Sequence, residues 1–138
     1  MTELTIYTDG ASRGNPGPAS TGFVIKNSAE TLFSGGSYLG ITTNNTAEYS
    51  AIVEAMEKAT LISDNHSQVI LSFRLDSKLA VEQLSGRYKI KNSNLRNLFI
   101  KIKQLENSFA RVTYQHIPRE QNQEADLQAN LVLDNKTP

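Results

Sequence analysis

Apolar spacing along this 138-residue chain changes period several times, and the order of those changes limits the folds open to it. Residues 4–8, 21–26 and 31–39 are β-type runs, with Asn27-Ser28 at the turn between the second and third, and predict antiparallel strands in meander order. Ala47, Ala51, Ile52, Ala55 and Ala59 then recur at helical spacing, so a helix is expected over about 45–61. The run "VILSFRL" (69–75) returns to strand, and Leu79, Val81 and Leu84 give a short helix that Gly86 stops. Leu95, Leu98, Phe99, Ile102 and Leu105 form an amphipathic helix. Residues 112–117 make a last strand, and 121–133 a final helix before a polar tail at 135–138. The order β-β-β-α-β-α-α-β-α is that of one α/β domain over 1–138, a mixed sheet covered by helices.

Composition excludes several classes. There is no cysteine, so disulfides and thiolate metal sites are out. No apolar run approaches the roughly 18 residues of a membrane span, and no basic start followed by an apolar stretch suggests a secretory signal. A cytoplasmic protein with no membrane partner, and a monomer, is expected. A formal net charge of zero argues against a purely electrostatic nucleic-acid binder. Yet 87–103 holds Arg87, Lys89, Lys91, Arg96, Lys101 and Lys103 and no acid. That run is either a solvated helix face or a surface that meets phosphates.

Four acids each have an innocent explanation. Asp9 ends the first strand, and Asp-Gly is a common turn pair, so it is a turn residue, part of a phosphate-cradling loop or a metal ligand. Glu48 stands three residues after Asn45, as in a capping box. Asp76 is placed to cap the helix after its strand. Asp126 lies where a negative charge suits a helix start. Together they read differently. Asp9 and Asp76 each end a strand, and Glu48 and Asp126 each stand near a helix start. If the two strands are neighbours, their ends bring the carboxylates to the edge where open α/β sheets place ligands. Clustered carboxylates raise one another's pKa unless a cation neutralises them. All-oxygen donors favour Mg²⁺ or Mn²⁺, and a pair of such ions about 4 Å apart suits in-line displacement at phosphorus.

Four stretches, "YTDGASRGNPGPA", "TTNNTAEYSAI", "LDSKLAVEQLSGRYKIKN" and "HIPREQNQEAD", each carry one of these four acids. In this order they resemble type 1 ribonuclease H over almost the whole chain. The resemblance implies a ribonuclease H-like fold with a five-stranded mixed sheet, three of its strands antiparallel at the N-terminus. It also implies endonucleolytic hydrolysis of the RNA strand of an RNA–DNA hybrid with two metal ions, leaving 3′-hydroxyl and 5′-phosphate ends. Asp9, Glu48, Asp76 and Asp126 match the family's acidic quartet. A catalytically weak hybrid-binding relative and a DNA nuclease on the same fold are the competing readings.

Around the quartet, Gly10, Gly14 and Gly17 suit close approach of backbone to a sugar–phosphate chain in a loop over 10–18, and Pro16 and Pro18 stiffen it. No Gly-Lys-Ser/Thr follows, so this is not a Walker loop. Ser12 and Asn15 match groove positions in the family. Thr43, Asn44 and Asn45 offer amides and a hydroxyl suited to 2′-hydroxyls and base edges, one of them being expected to cap the helix. Ser77 and Lys78 are expected near the minor groove or a phosphate. His66 reads as a solvated loop residue. Many family members hold a mobile histidine where His116 stands; here His116 is expected to be buried in the last strand, leaving Arg119 to face the site. Leu75 replaces a common Ser or Thr, and Leu127-Gln128 reverses the usual order after the last acid. The Trp-rich basic insertion of longer members is missing, as the chain has no tryptophan.

Overall fold

Strand β1 (Thr2–Ser12) is the axis of the sheet in the computed structural model, which describes residues 1–136. It pairs antiparallel with β2 (Gly17–Lys26) and parallel with β5 (Val69–Leu75), which pairs parallel with β6 (Arg111–His116). On the far edge of β2 lie β3 (Thr31–Gly35) and β4 (Tyr38–Thr42). The order β3-β2-β1-β5-β6 is the mixed sheet expected. The run read as one strand over 31–39 is divided at Gly35-Gly36, and β4 takes up the pairing with the first half of β2. A Cβ on Gly36 would lie 1.9 Å from Thr21 O, so the chain bends there against β2.

Helices cover both faces. α1 (Asn44–Ile62) lies on β1 and β2 and packs against α3 (Ser93–Glu106), with α2 (Lys78–Leu84) near β5 and β6. α4 (Gln123–Lys136) covers β2 and β1. Side chains alternate along β2. Phe23 and Ile25 join Leu4, Ile6, Leu71, Phe73, Ile52 and Met56 in one core, each worth about 1.5–3 kcal/mol on full burial. Gly22 faces the other way, and a Cβ there would sit 2.3 Å from Ala125 O and 2.4 Å from Ala129 N. That glycine lets the small-residue side of α4 lie directly on β2.

Three local expectations are corrected. The segment read as a loop over 10–18 is mostly a β-hairpin. Ladder pairs run on to Gly10↔Thr21, Ala11↔Ser20 and Ser12↔Ala19, leaving only residues 13–16 as the turn, with a cis Asn15-Pro16 bond. The final helix begins at Gln123, after a single 3₁₀ turn at Arg119–Gln121, and it includes Asn135 and Lys136 of the expected tail; Thr137 and Pro138 lie outside the described residues. His66 is half-buried, not solvated. Its Nε2 lies 2.9 Å from Thr60 O and 3.0 Å from Ser63 O, closing the end of α1, and its ring packs on Phe109.

Candidate active site

The parallel register Thr8↔Leu75 makes Asp9 and Asp76 the next residues on neighbouring strands. Asp9 is 4% exposed and sits inside β1, so it is not a turn residue. The innocent explanations of Glu48 and Asp76 fail as well. Thr43 is the N-cap of α1, its side chain accepting from Thr46 N at 3.2 Å, so Glu48 belongs to no capping box. Ser77, accepting from Ala80 N at 3.2 Å, caps α2 in place of Asp76. Both carboxylates are free of helix-capping duty. Asp126 is in the first turn of α4, as expected.

Packing brings these elements together through two glycines. A Cβ on Gly10 would lie 2.2 Å from both Ala47 C and Glu48 N, so the first turns of α1 rest on β1 at the residue after Asp9. The close approach that Gly10 permits is thus to protein backbone. Gly22, opposite Asp9 in the ladder, does the same for α4. One ligand oxygen from each of Asp9, Glu48 and Asp76 lies within 4.8 Å of the others. Asp126 lies outside this group of three, though it is near enough to help raise the Asp9 carboxyl.

Burial dominates the electrostatics of this cluster. Desolvation, then the charges of Glu48 and Asp76, push Asp9 from 3.8 up to about 10. Desolvation and Asp76 push Glu48 from 4.5 up to about 7, while Asp9, the Gly10 N–H and the Arg119 charge pull it down. An acid raised on folding favours the folded state while protonated. That contribution is complete below about pH 4 and is lost as pH climbs through about 7 for Glu48 and about 10 for Asp9. In EDTA, thermal unfolding is therefore expected at a higher temperature at pH 5 than at pH 9. Asp9→Asn should remove most of that difference, since Asp9 carries the larger shift. Equal midpoints for the unmodified protein would contradict this electrostatic picture.

The residues fit a hard divalent cation. The donors are all carboxylate oxygens, and Glu48 Oε2 is buried without a hydrogen-bond partner, as an oxygen reserved for a cation would be.

Other expected site residues fall into two groups. At the hairpin turn, Ser12 Oγ donates to Asn44 Oδ1 at 3.1 Å, and Asn44 N donates to Asn15 Oδ1 at 3.1 Å. Ser12, Asn15 and Asn44 thus form one surface with the exposed Thr43 and Asn45. Ser77 and Lys78 follow Asp76, Lys78 being exposed. His116 is not buried: it is exposed beside Leu75, and the parallel ladder puts Ile117, at 4% exposure, in the interior instead. Arg119 is exposed and its charge reaches Glu48. The basic run is only partly free. Arg87 pairs with Glu82, Lys101 with Glu57, and Lys103 with Glu106 and Leu84 O, while Lys89 and Lys91 are exposed.

Asn122 was not anticipated. It is 1% exposed, and its Nδ2 donates to Thr8 O at 2.9 Å and to Asp76 Oδ2 at 3.1 Å. Its position four residues before Asp126 was the available signal, but both partners are remote in sequence.

Residues 7–132 match the family model described as "Reverse transcriptase-like". The chain is 37% identical over 134 residues to a bifunctional protein of Mycobacterium tuberculosis, covering 96% of this chain and 36% of that one. It is 37% identical over 129 residues to ribonuclease HI of Halobacterium salinarum, covering 93% and 63%. This chain therefore spans about a third of the length of the first curated relatives. Among solved structures, it is similar to RNase H1 of Halobacterium salinarum (TM-score 0.90, 36% identity, 96% and 98% covered). It is also similar to LC11-RNase H1, isolated from compost and crystallised with an RNA/DNA hybrid (TM-score 0.91, 40% identity, 96% and 97% covered).

Proposed function

The chain belongs to the type 1 ribonuclease H family, and from that premise we propose that it is a metal-dependent endonuclease that hydrolyses the RNA strand of RNA–DNA hybrids. The observation that carries this reading is the meeting of Asp9, Glu48 and Asp76, drawn from two strands and a helix, around an unpartnered buried carboxylate oxygen. Asp9, Glu48, Asp76 and Asp126 are the residues that would hold two Mg²⁺ or Mn²⁺ ions. When bound, such a pair supplies activation of the attacking water and stabilisation of the leaving oxygen.

The chain's own groups do the rest. Asp9, whose carboxyl burial and the charges of Glu48 and Asp76 raise, would have to release its proton to join such a site. The Thr43-capped start of α1 carries Glu48, and the Gly10 N–H favours its ionised form. The surface of Ser12, Asn15, Thr43, Asn44 and Asn45 offers amides and hydroxyls to a 2′-hydroxyl-bearing strand. Arg119 and His116, both exposed at the same end of the sheet, are candidates for assisting the leaving group, Arg119 being favoured by its field at Glu48. Among the described residues no helix is long and apolar enough to cross a membrane.

A substrate panel tests the proposal: hybrid, double-stranded RNA, duplex DNA and a single ribonucleotide in DNA, each with Mg²⁺ and with Mn²⁺. Preferential cutting of the hybrid's RNA strand, leaving 3′-hydroxyl and 5′-phosphate ends, is the expected result. Preference for duplex DNA would point to a DNA nuclease, and binding without cutting to an inactive relative.

Salt dependence gives a second check. With Arg87, Arg96, Lys101 and Lys103 engaged by the protein itself, Lys89 and Lys91 are the cations most available to phosphates. Replacing both with Ala should reduce the slope of log binding constant against log salt by about 2. An unchanged slope would place the hybrid elsewhere.

A further inference from the structure

We infer that Asn122 is a positioning residue that fixes the orientation of the Asp76 carboxylate for cation binding; this rests on the metal-dependent reading above. An asparagine just before a helix ordinarily serves through its side-chain oxygen, which accepts from the first free N–H groups. Asn122 does the reverse. Its Oδ1 is buried without a partner, while Nδ2 makes both hydrogen bonds, to Thr8 O and to Asp76 Oδ2. Each of those partners can only accept, so the amide orientation is fixed by chemistry.

The placement of these bonds is specific to the site. Thr8 is the residue before Asp9, and the Thr8↔Leu75 pair is the last of the parallel ladder before the two acids. Asn122 therefore spans β1 and β5 just where the ladder ends. A donor on Asp76 Oδ2 holds in one rotamer a carboxylate that has an oxygen within 4.8 Å of those of Asp9 and Glu48. The Asn122 carbonyl also accepts the Asp126 N–H at 3.1 Å, which starts the helix that carries the fourth acid. One residue thus ties together the segments bearing Asp9, Asp76 and Asp126.

Calorimetric titration with Mn²⁺ and steady-state hybrid cleavage should be measured for the unmodified protein, Asn122→Ala and Asn122→Ser. Serine suits a helix start but is too short to reach both acceptors. Both variants are expected to fold, to bind Mn²⁺ about tenfold more weakly and to lose a similar factor in kcat, with KM for hybrid within about twofold. If the alanine variant does not fold, the serine variant carries the test. Mn²⁺ affinity equal to that of the unmodified protein in a folded variant would overturn the inference. So would failure of both to fold, which would assign Asn122 to the fold alone. If the unmodified protein itself did not bind Mn²⁺, the metal-dependent reading would fail first, a result distinct from either.

Discussion

Asp9→Asn is expected to lower hybrid cleavage by at least about a thousandfold while leaving the fold intact. Cation stabilisation of a phosphoryl transition state is worth several kcal/mol, and each ~1.4 kcal/mol is a factor of ten. Asp9 shares a cluster with Glu48 and Asp76, whose charges both raise its carboxyl. Its loss removes the carboxylate best placed to serve both ions. The substitution keeps shape and relieves like-charge repulsion, so the variant should be at least as heat-stable as the parent in EDTA. A stable variant with full activity in Mg²⁺ would contradict the site. An unfolded variant would contradict the electrostatic argument.

Gly10→Ala is expected to act more bluntly, impairing both stability and cleavage. The added Cβ would meet Ala47 C and Glu48 N at 2.2 Å. Both are backbone atoms, so no side-chain rotation relieves the clash. Overpacking of this kind costs about 1–3 kcal/mol or more, roughly 5–10 °C in unfolding temperature for a chain of this size. Because α1 must lift away from β1, Glu48 moves with it, and kcat should fall by at least about tenfold. Measuring unfolding and cleavage on the same sample checks both. A variant with unchanged unfolding temperature and unchanged kcat would show that the close approach at Gly10 matters to neither.

Much of this arrangement was legible in the sequence because it rests on local pattern. The helical spacing from Ala47 to Ala59 and the β run 69–75 became α1 and β5 almost as read. Asp9, Glu48 and Asp76, which meet in the structure, could be picked out because each stands at the boundary of a periodic segment. The hairpin at 10–20 was not legible. Its Gly- and Pro-rich strands pair through backbone groups, and side-chain pattern carries no trace of that. The division between β3 and β4 had a signal in Gly35-Gly36, but the close approach to Thr21 O that explains it is a long-range contact. His116 was misread because burial in a strand depends on which face each residue takes. One step of the ladder separates exposed His116 from buried Ile117. Asn122 was missed for a related reason. Its partners Thr8 and Asp76 are 114 and 46 residues away.

Leu75 illustrates the same division. It departs from the polar residue common in the family, and its side chain is buried in the core at 1% exposure. The departure changes packing beneath Asp76 and leaves the carboxylate in place.

The most direct test of the acidic cluster is Mn²⁺ titration of metal-free protein at pH 7 in buffers of differing ionisation enthalpy, which counts the protons released on binding. Asp9 is held protonated by burial and its neighbours, so a cation entering the cluster must displace that proton. Saturable binding with release of about one proton or more, both lost in Asp9→Asn, is the predicted result. Binding without proton release, or equal binding by the variant, would contradict it.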